Sequence, residues 1–190
     1  MPTLAIVGCE DDRTTAAPIS TVDTLSFDNR LRIPALAEST VDDNGVRTFR
    51  LAAVAGSVEF LSGLSTPTWS YTDGRYDVGY LGPTLRATRG ERVRVMVENR
   101  LSEITTVHWH GMHLPARNDG GPHTPIAPGE QWQPQWSIDQ PAATLWYHPH
   151  PHGQTEAQVT RGLAGLFYLD DRSNSDLPHR YGIDDIPIIL

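Results

Sequence analysis

Cysteine is almost missing from this chain: among 190 residues there is one, Cys9. A single cysteine excludes an internal disulfide and any zinc or iron–sulfur site assembled from several cysteines. Long apolar runs are missing as well. No stretch reaches the ~18 consecutive apolar residues of a membrane-spanning helix. Clusters of Lys and Arg are absent, and the formal net charge is −8 with a pI near 5.4, so nucleic acid is not an expected partner. No internal repeat is visible, which sets aside solenoid and propeller architectures.

What remains is a chain of ordinary globular composition, 38% hydrophobic and 20% charged, with 16 Gly and 15 Pro. Its length suits one substantial domain rather than two. That much Gly and Pro fits many short strands joined by turns. The start has two readings. Leu4 to Val7 followed by Gly8-Cys9 is similar to the tail of a bacterial lipoprotein signal, in which the cysteine is lipidated after cleavage. It also fits an unstructured N-terminus, because a basic leader is missing and the apolar run is short. The acidic, Thr/Ser-rich stretch from Glu10 to about residue 30 reads as a tether. Residues 1–45 are therefore set apart from a folded domain over 46–175.

Within that domain the pattern is strand and turn. Arg47 to Phe60 reads as strand, broken at Ala55-Gly56-Ser57. Thr68 to Tyr71 is a second strand, and Asp73-Gly74 a turn. Gly82-Pro83 leads into a strand that ends at Arg89-Gly90. Arg92 to Asn99 alternates most clearly: Val93, Val95 and Val97 share one face, while Arg92, Arg94, Met96 and Glu98 share a solvated one. Trp132 to Ile138, Ala143 to Tyr147 and Leu163 to Asp170 are further strands, and Gln154 to Arg161 fits two turns of helix. Gly165 is placed for close backbone approach. The whole predicts an all-β Greek-key sandwich or barrel. Asp176 to Arg180 is linker-like, and Ile183 to Leu190 reads as a strand whose partners lie elsewhere, so 176–190 is expected to lead into another domain.

Two short runs hold five of the eight histidines: Val107-His108-Trp109-His110-Gly111 and Trp146-Tyr147-His148-Pro149-His150-Pro151-His152-Gly153. In extended backbone, residues i and i+2 share a face. His108 and His110 then point together, as do His148 and His150, and runs lying side by side would converge four imidazoles on one volume. Neutral imidazole ligates copper, zinc, iron and nickel. The glycine after each run would allow close approach, and the flanking Trp and Tyr would wall the site from water. His113, His123 and His179 read as loop histidines.

With Gly82-Pro83-Thr84, Arg89-Gly90-Glu91, Asp119-Gly120-Gly121-Pro122, Pro128-Gly129, Asp139 to Ala143 and Gly162 to Tyr168, these runs resemble the first cupredoxin domain of multicopper oxidases. The likeness is nearest the laccase-like, copper-efflux and spore-coat branch, and spans about residues 46–190. It implies that the chain supplies half the ligands of a trinuclear copper cluster that reduces dioxygen to water. His108 would bind the type 2 copper, His110 and His148 one type 3 copper, and His150 the other. Asp119 matches an acidic residue that assists proton delivery, and also fits a plain Asp-Gly turn former. His152 matches a position that is not a ligand. The resemblance further implies an exported protein, periplasmic or extracellular, partnered by C-terminal cupredoxin domains. Those would carry the type 1 copper, held by one Cys and two His, and two more His-x-His runs. Neither occurs in these residues, and Cys9 lacks flanking histidines, so the chain is expected not to turn over alone. The reducing substrate could be a phenol, an aromatic amine or a metal ion. Two other readings use the same histidines: a non-catalytic copper-binding or scaffold module, and a zinc hydrolase with Glu156 as the nearest carboxylate.

Overall fold

Alternation of buried Val with Arg, Met and Glu makes Arg92–Asn99 a central strand of the first of two sheets. The computed structural model describes residues 30–76, 79–172 and 178–189. Its strands are β1 (Ser39–Val41), β2 (Val46–Leu61), β3 (Leu64–Thr72), β4 (Leu85–Thr88), β5 (Arg92–Asn99), β6 (His108–His110), β7 (Gln131–Trp132), β8 (Gln135–Ser137), β9 (Ala143–His148) and β10 (Gly165–Asp170). Among the described residues there is one α-helix, α1 (Thr155–Thr160), and a single 3-10 turn at Ala116–Asn118. The first sheet runs β1-β2-β5-β7, with β3 also on β2 and β8 also on β5; the second runs β4-β10-β9-β6. Cys9 and the tether up to residue 29 lie outside the described residues.

The core fills the space between the sheets. Val93, Val95 and Val97 of β5 and Phe49 and Leu51 of β2 meet Leu85, Tyr147, Phe167 and Leu169 of the second sheet. Phe49 packs edge-on to Phe167 with ring centroids 6.1 Å apart. Each such side chain, taken fully out of water, contributes about 1.5–3 kcal/mol. Tyr147 crosses this core, and its hydroxyl donates to the Pro83 carbonyl at 2.7 Å. Gly165 and Gly82 are glycines because a Cβ on either would run into the Tyr147 ring or hydroxyl. The close approach expected at Gly165 is thus an aromatic ring from the neighbouring strand.

Several elements depart from the sequence reading. Ala55-Gly56-Ser57 does not break β2, which runs on through Leu61 because β3 pairs it residue by residue, Ala55 with Trp69 and Gly56 with Thr68. Gly56 lies where the Gly79 backbone comes close. β3 is longer than Thr68–Tyr71, since hairpin pairing carries it back to Leu64 through Pro67. The strand expected over Trp132–Ile138 is divided, with Gln133 and Pro134 between β7 and β8; proline has no N–H for the ladder. Residues 36–41, assigned to the tether, belong to the fold: Ala37 N–H donates to Thr84 O at 2.9 Å, and β1 pairs β2. The strand expected over 183–190 does not form among the described residues. Asp184 instead turns the chain back, accepting from the Arg180 N–H at 2.8 Å and from its Nε at 2.6 Å, and Pro187 lacks a donor.

The Arg89-Gly90 turn and β2 are joined by Arg47, which donates to both carboxylate oxygens of Glu91, at 3.1 and 2.7 Å. The Arg47 bonds hold the Glu91 carboxyl below its ordinary value of 4.5.

Replacing Gly165 by Ala should cost about 3 kcal/mol in chemical unfolding, as overpacking against Tyr147. Gly56→Ala, whose Cβ would sit 3.6 Å from the Gly79 Cα, should shift stability by under about 1 kcal/mol. Glu91→Gln should cost on the order of 1–2 kcal/mol near pH 7. Because the folded-state carboxyl is the stronger acid, that difference is full above the ordinary value of 4.5 and shrinks as pH falls below it.

Candidate metal centre

β6 and β9 pair antiparallel with His108 opposite His148, Trp109 opposite Tyr147, and His110 opposite Trp146. Alternation does the rest. Trp109 and Tyr147 turn into the core, and the histidines turn out on the other face. One ligand nitrogen from each of His108, His110 and His148 lies within 4.8 Å of the other two. His150 lies just past the end of β9, its ring centroid 5.6 Å from that of His108 and 6.1 Å from that of His148. The structure therefore brings three of the four expected imidazoles into one tight group, with the fourth beside it.

Backbone carbonyls fix which nitrogens face inward. His108 Nδ1 donates to Asp119 O at 2.9 Å, and His148 Nδ1 donates to Pro149 O at 2.8 Å. A carbonyl only accepts, so each bond puts the proton on Nδ1 and leaves Nε2 as the ring's acceptor or ligand atom. His110 Nδ1 lies 3.1 Å from His148 Nε2. A cation in place of the proton between them would draw on both. Burial, reinforced by the neighbouring imidazoles, lowers the His148 pKa to about 4. The ring is thus neutral at physiological pH, the form that ligates. All-imidazole donors with fixed tautomers fit copper and equally satisfy zinc or nickel by donor type.

Of the flanking aromatics expected to wall the site, one does so. Trp109 and Tyr147 belong to the core. Trp146 is the residue that covers the imidazoles, stacked on His148 at 4.0 Å and 26° and tilted over His110 at 5.0 Å. The i, i+2 rule already places Trp146 on the face of His148, so the signal was present. The glycine after each run serves turning: Gly111 and Gly153 have φ of 85° and 71°. Asp119 is held close because the left-handed Gly120 packs on the Val107 carbonyl, where no Cβ fits. Its Oδ2 lies 3.3 Å from His108 Nδ1 and the side chain is 40% exposed. His113, His123, His152 and Glu156 are exposed and stand outside the tight group. Thr105, Thr106 and Gln158, buried behind the cluster, had no marker in the sequence.

Two sheets packed face to face, with paired His-x-His runs at one end, define a cupredoxin-like β-sandwich bearing a candidate copper centre. Comparison with known proteins narrows this. The multicopper oxidase family profile matches residues 57–174. The chain is 41% identical over 162 residues to the multicopper oxidase mco of Staphylococcus epidermidis, covering 85% of this chain and 35% of that protein. It is 41% identical over 144 residues to the cell division protein FtsP of Edwardsiella tarda, covering 71% and 30%. It superposes on the crystal structure of a Pediococcus acidilactici laccase with a TM-score of 0.73 and 35% identity, covering 80% of this chain and 32% of that one. The chain belongs to the multicopper oxidase family. It spans about a third of the length of the relatives it matches.

In metal-free protein, the His148 ring should titrate by NMR with a midpoint near 4. The folded chain then binds fewer protons than the unfolded one between that value and the ordinary 6.5. Stability should fall as pH drops through this window, by up to ~1.4 kcal/mol per pH unit, and His148→Gln should flatten the fall.

Proposed function

We propose that this chain supplies half of the trinuclear copper cluster of an oxidase that reduces dioxygen to water while a substrate is oxidised elsewhere in the protein. The observation that carries this reading is the convergence of His108, His110 and His148 nitrogens within 4.8 Å, on a fold of the multicopper oxidase family. His108 is assigned to the type 2 copper, His110 and His148 to one type 3 copper, and His150 to the other. The bound copper ions supply the electron-transfer chemistry, since imidazole suits both of copper's common oxidation states.

The protein's own residues supply position and protons. The β6–β9 ladder orients the imidazoles, and Trp146 keeps water from one side of them. Asp119, beside His108 and partly open to solvent, is placed to take protons from water and pass them inward. The remaining ligands, the type 1 copper and the oxidised substrate, whether phenol, aromatic amine or metal ion, are assigned to further cupredoxin domains of the same protein or to a partner chain. An exported location, periplasmic or extracellular, goes with this reading.

One relative is named as a cell division protein, FtsP, and not as an oxidase, and this favours a second reading, a non-catalytic copper-binding or scaffold module. The first is preferred to a bare scaffold because a scaffold has no need of clustered imidazoles with fixed tautomers, and to a copper-binding module because the family profile and relatives are those of multicopper oxidases. Copper stoichiometry and electron paramagnetic resonance separate the two. Under the oxidase reading, the longer protein containing this chain should show type 1 and type 2 signals, and this chain alone should bind little copper. His110→Ala in the longer protein should lower oxygen consumption by about a hundredfold or more. Tight copper binding at a fixed ratio by this chain alone, with no type 1 signal in the longer protein, would support the non-catalytic copper-binding module.

A further inference from the structure

His108, His110 and His148 are set by the strand ladder. His150 is not. It sits in the irregular stretch 149–154 and its side chain is exposed, yet its ring stays 5.6 Å from that of His108. What holds it is a chain of buried polar contacts behind the cluster. The His150 N–H donates to Thr106 Oγ1 at 2.6 Å. Thr106 is fully buried, and a β-branched side chain has few rotamers to choose from.

Its neighbour Thr105 is equally buried and pairs with Ile126 through both backbone groups, at 3.2 and 2.8 Å. The Thr105 hydroxyl donates to Gln158 Oε1 at 2.8 Å, and Gln158 Nε2 donates to Ile104 O at 2.8 Å. Gln158 is 1% exposed on α1. The start of α1 is tied to the His150 loop, where Gln154 N–H and Thr155 Oγ1 both donate to Pro151 O, at 3.2 and 3.1 Å. The loop is thus held in front by Thr106 and behind by α1, and Gln158 fastens α1 to the same 104–106 segment.

We propose that Thr106 is a positioning residue for His150, kept in place by the Thr105–Gln158 pair, and that this clasp sets the fourth imidazole independently of the ladder. The inference rests on the reading of His150 as a copper ligand. Burial of a glutamine with both ends bonded explains why Gln158 occupies a buried helix position: leucine would fill the space and leave the Thr105 hydroxyl and Ile104 carbonyl without these partners.

The test uses the full chain with Thr106→Val, which keeps the shape and removes the hydroxyl, Thr106→Ser, which restores it, and Gln158→Leu. Metal-free protein is read by His150 amide exchange and by the nuclear Overhauser contact between the His108 and His150 rings. The longer copper-loaded protein is read by its type 3 absorption and copper content. Thr106→Val should fold with the His110–His148 contact intact, lose about tenfold of its His150 amide protection, weaken the His108–His150 ring contact and lower type 3 copper content. Thr106→Ser should recover all three. A folded Thr106→Val with unchanged amide protection and unchanged ring contact overturns the proposal. If Thr106→Val does not fold, Gln158→Leu decides by the same ring contact, which should weaken; an unchanged contact again overturns it. Failure of the parent protein to bind copper at His150 removes the ligand reading alone, and the metal-free ring contact still decides the clasp.

Discussion

The pairing of β6 with β9 is the constraint on which the rest depends. Three residue pairs set it: His108 with His148, Trp109 with Tyr147, His110 with Trp146. Because side chains alternate, this one register puts Trp109 and Tyr147 into the core and the imidazoles on the opposite face. Core packing therefore fixes the histidines. Tyr147 is locked by Gly82, Gly165 and its bond to Pro83 O, and the lock passes one residue along the strand to His148. Trp109, packed 5.4 Å from Trp136 and 6.0 Å from Tyr147, does the same for His108 and His110.

Much of this was legible in the sequence, because period-two alternation is a local property. Arg92–Asn99 could be bounded to the residue, since its Val and polar positions leave no other register. That His108 and His110 share a face followed from spacing; their convergence with His148 was conditional on the two runs lying side by side, as β6 and β9 do. What was not legible depended on partners distant in the chain. Ala55-Gly56-Ser57 looks like a break until β3 is laid beside it. Pro134 divides a strand that composition presents as one. Residues 36–41 look like tether until their bonds to β2 and Thr84 are seen. The C-terminal Ile residues resemble a strand, but the Asp184–Arg180 pair competes locally and wins.

The site shows the same division. Histidines announce themselves, and Trp146 could have been placed by counting. Thr105, Thr106 and Gln158 could not, because a buried threonine or glutamine has the same letters as an exposed one. Their meaning comes from the segment that folds against them, 53 residues away in the case of Thr105 and Gln158.

A strand that carries clustered imidazoles on one face and core aromatics on the other checks its own folding. Slipping β6 by a single residue would turn Trp109 to water and the two histidines into the hydrophobic interior. Exposing the one aromatic side chain alone forfeits roughly 1.5–3 kcal/mol of burial, before the cost of enclosing two imidazoles is added. A chain in the wrong register is therefore less stable as well as unable to bring its imidazoles together. Molecules that hold this fold are, by that fact, those with their imidazoles correctly presented, so selection for the fold also acts as selection for the candidate metal site.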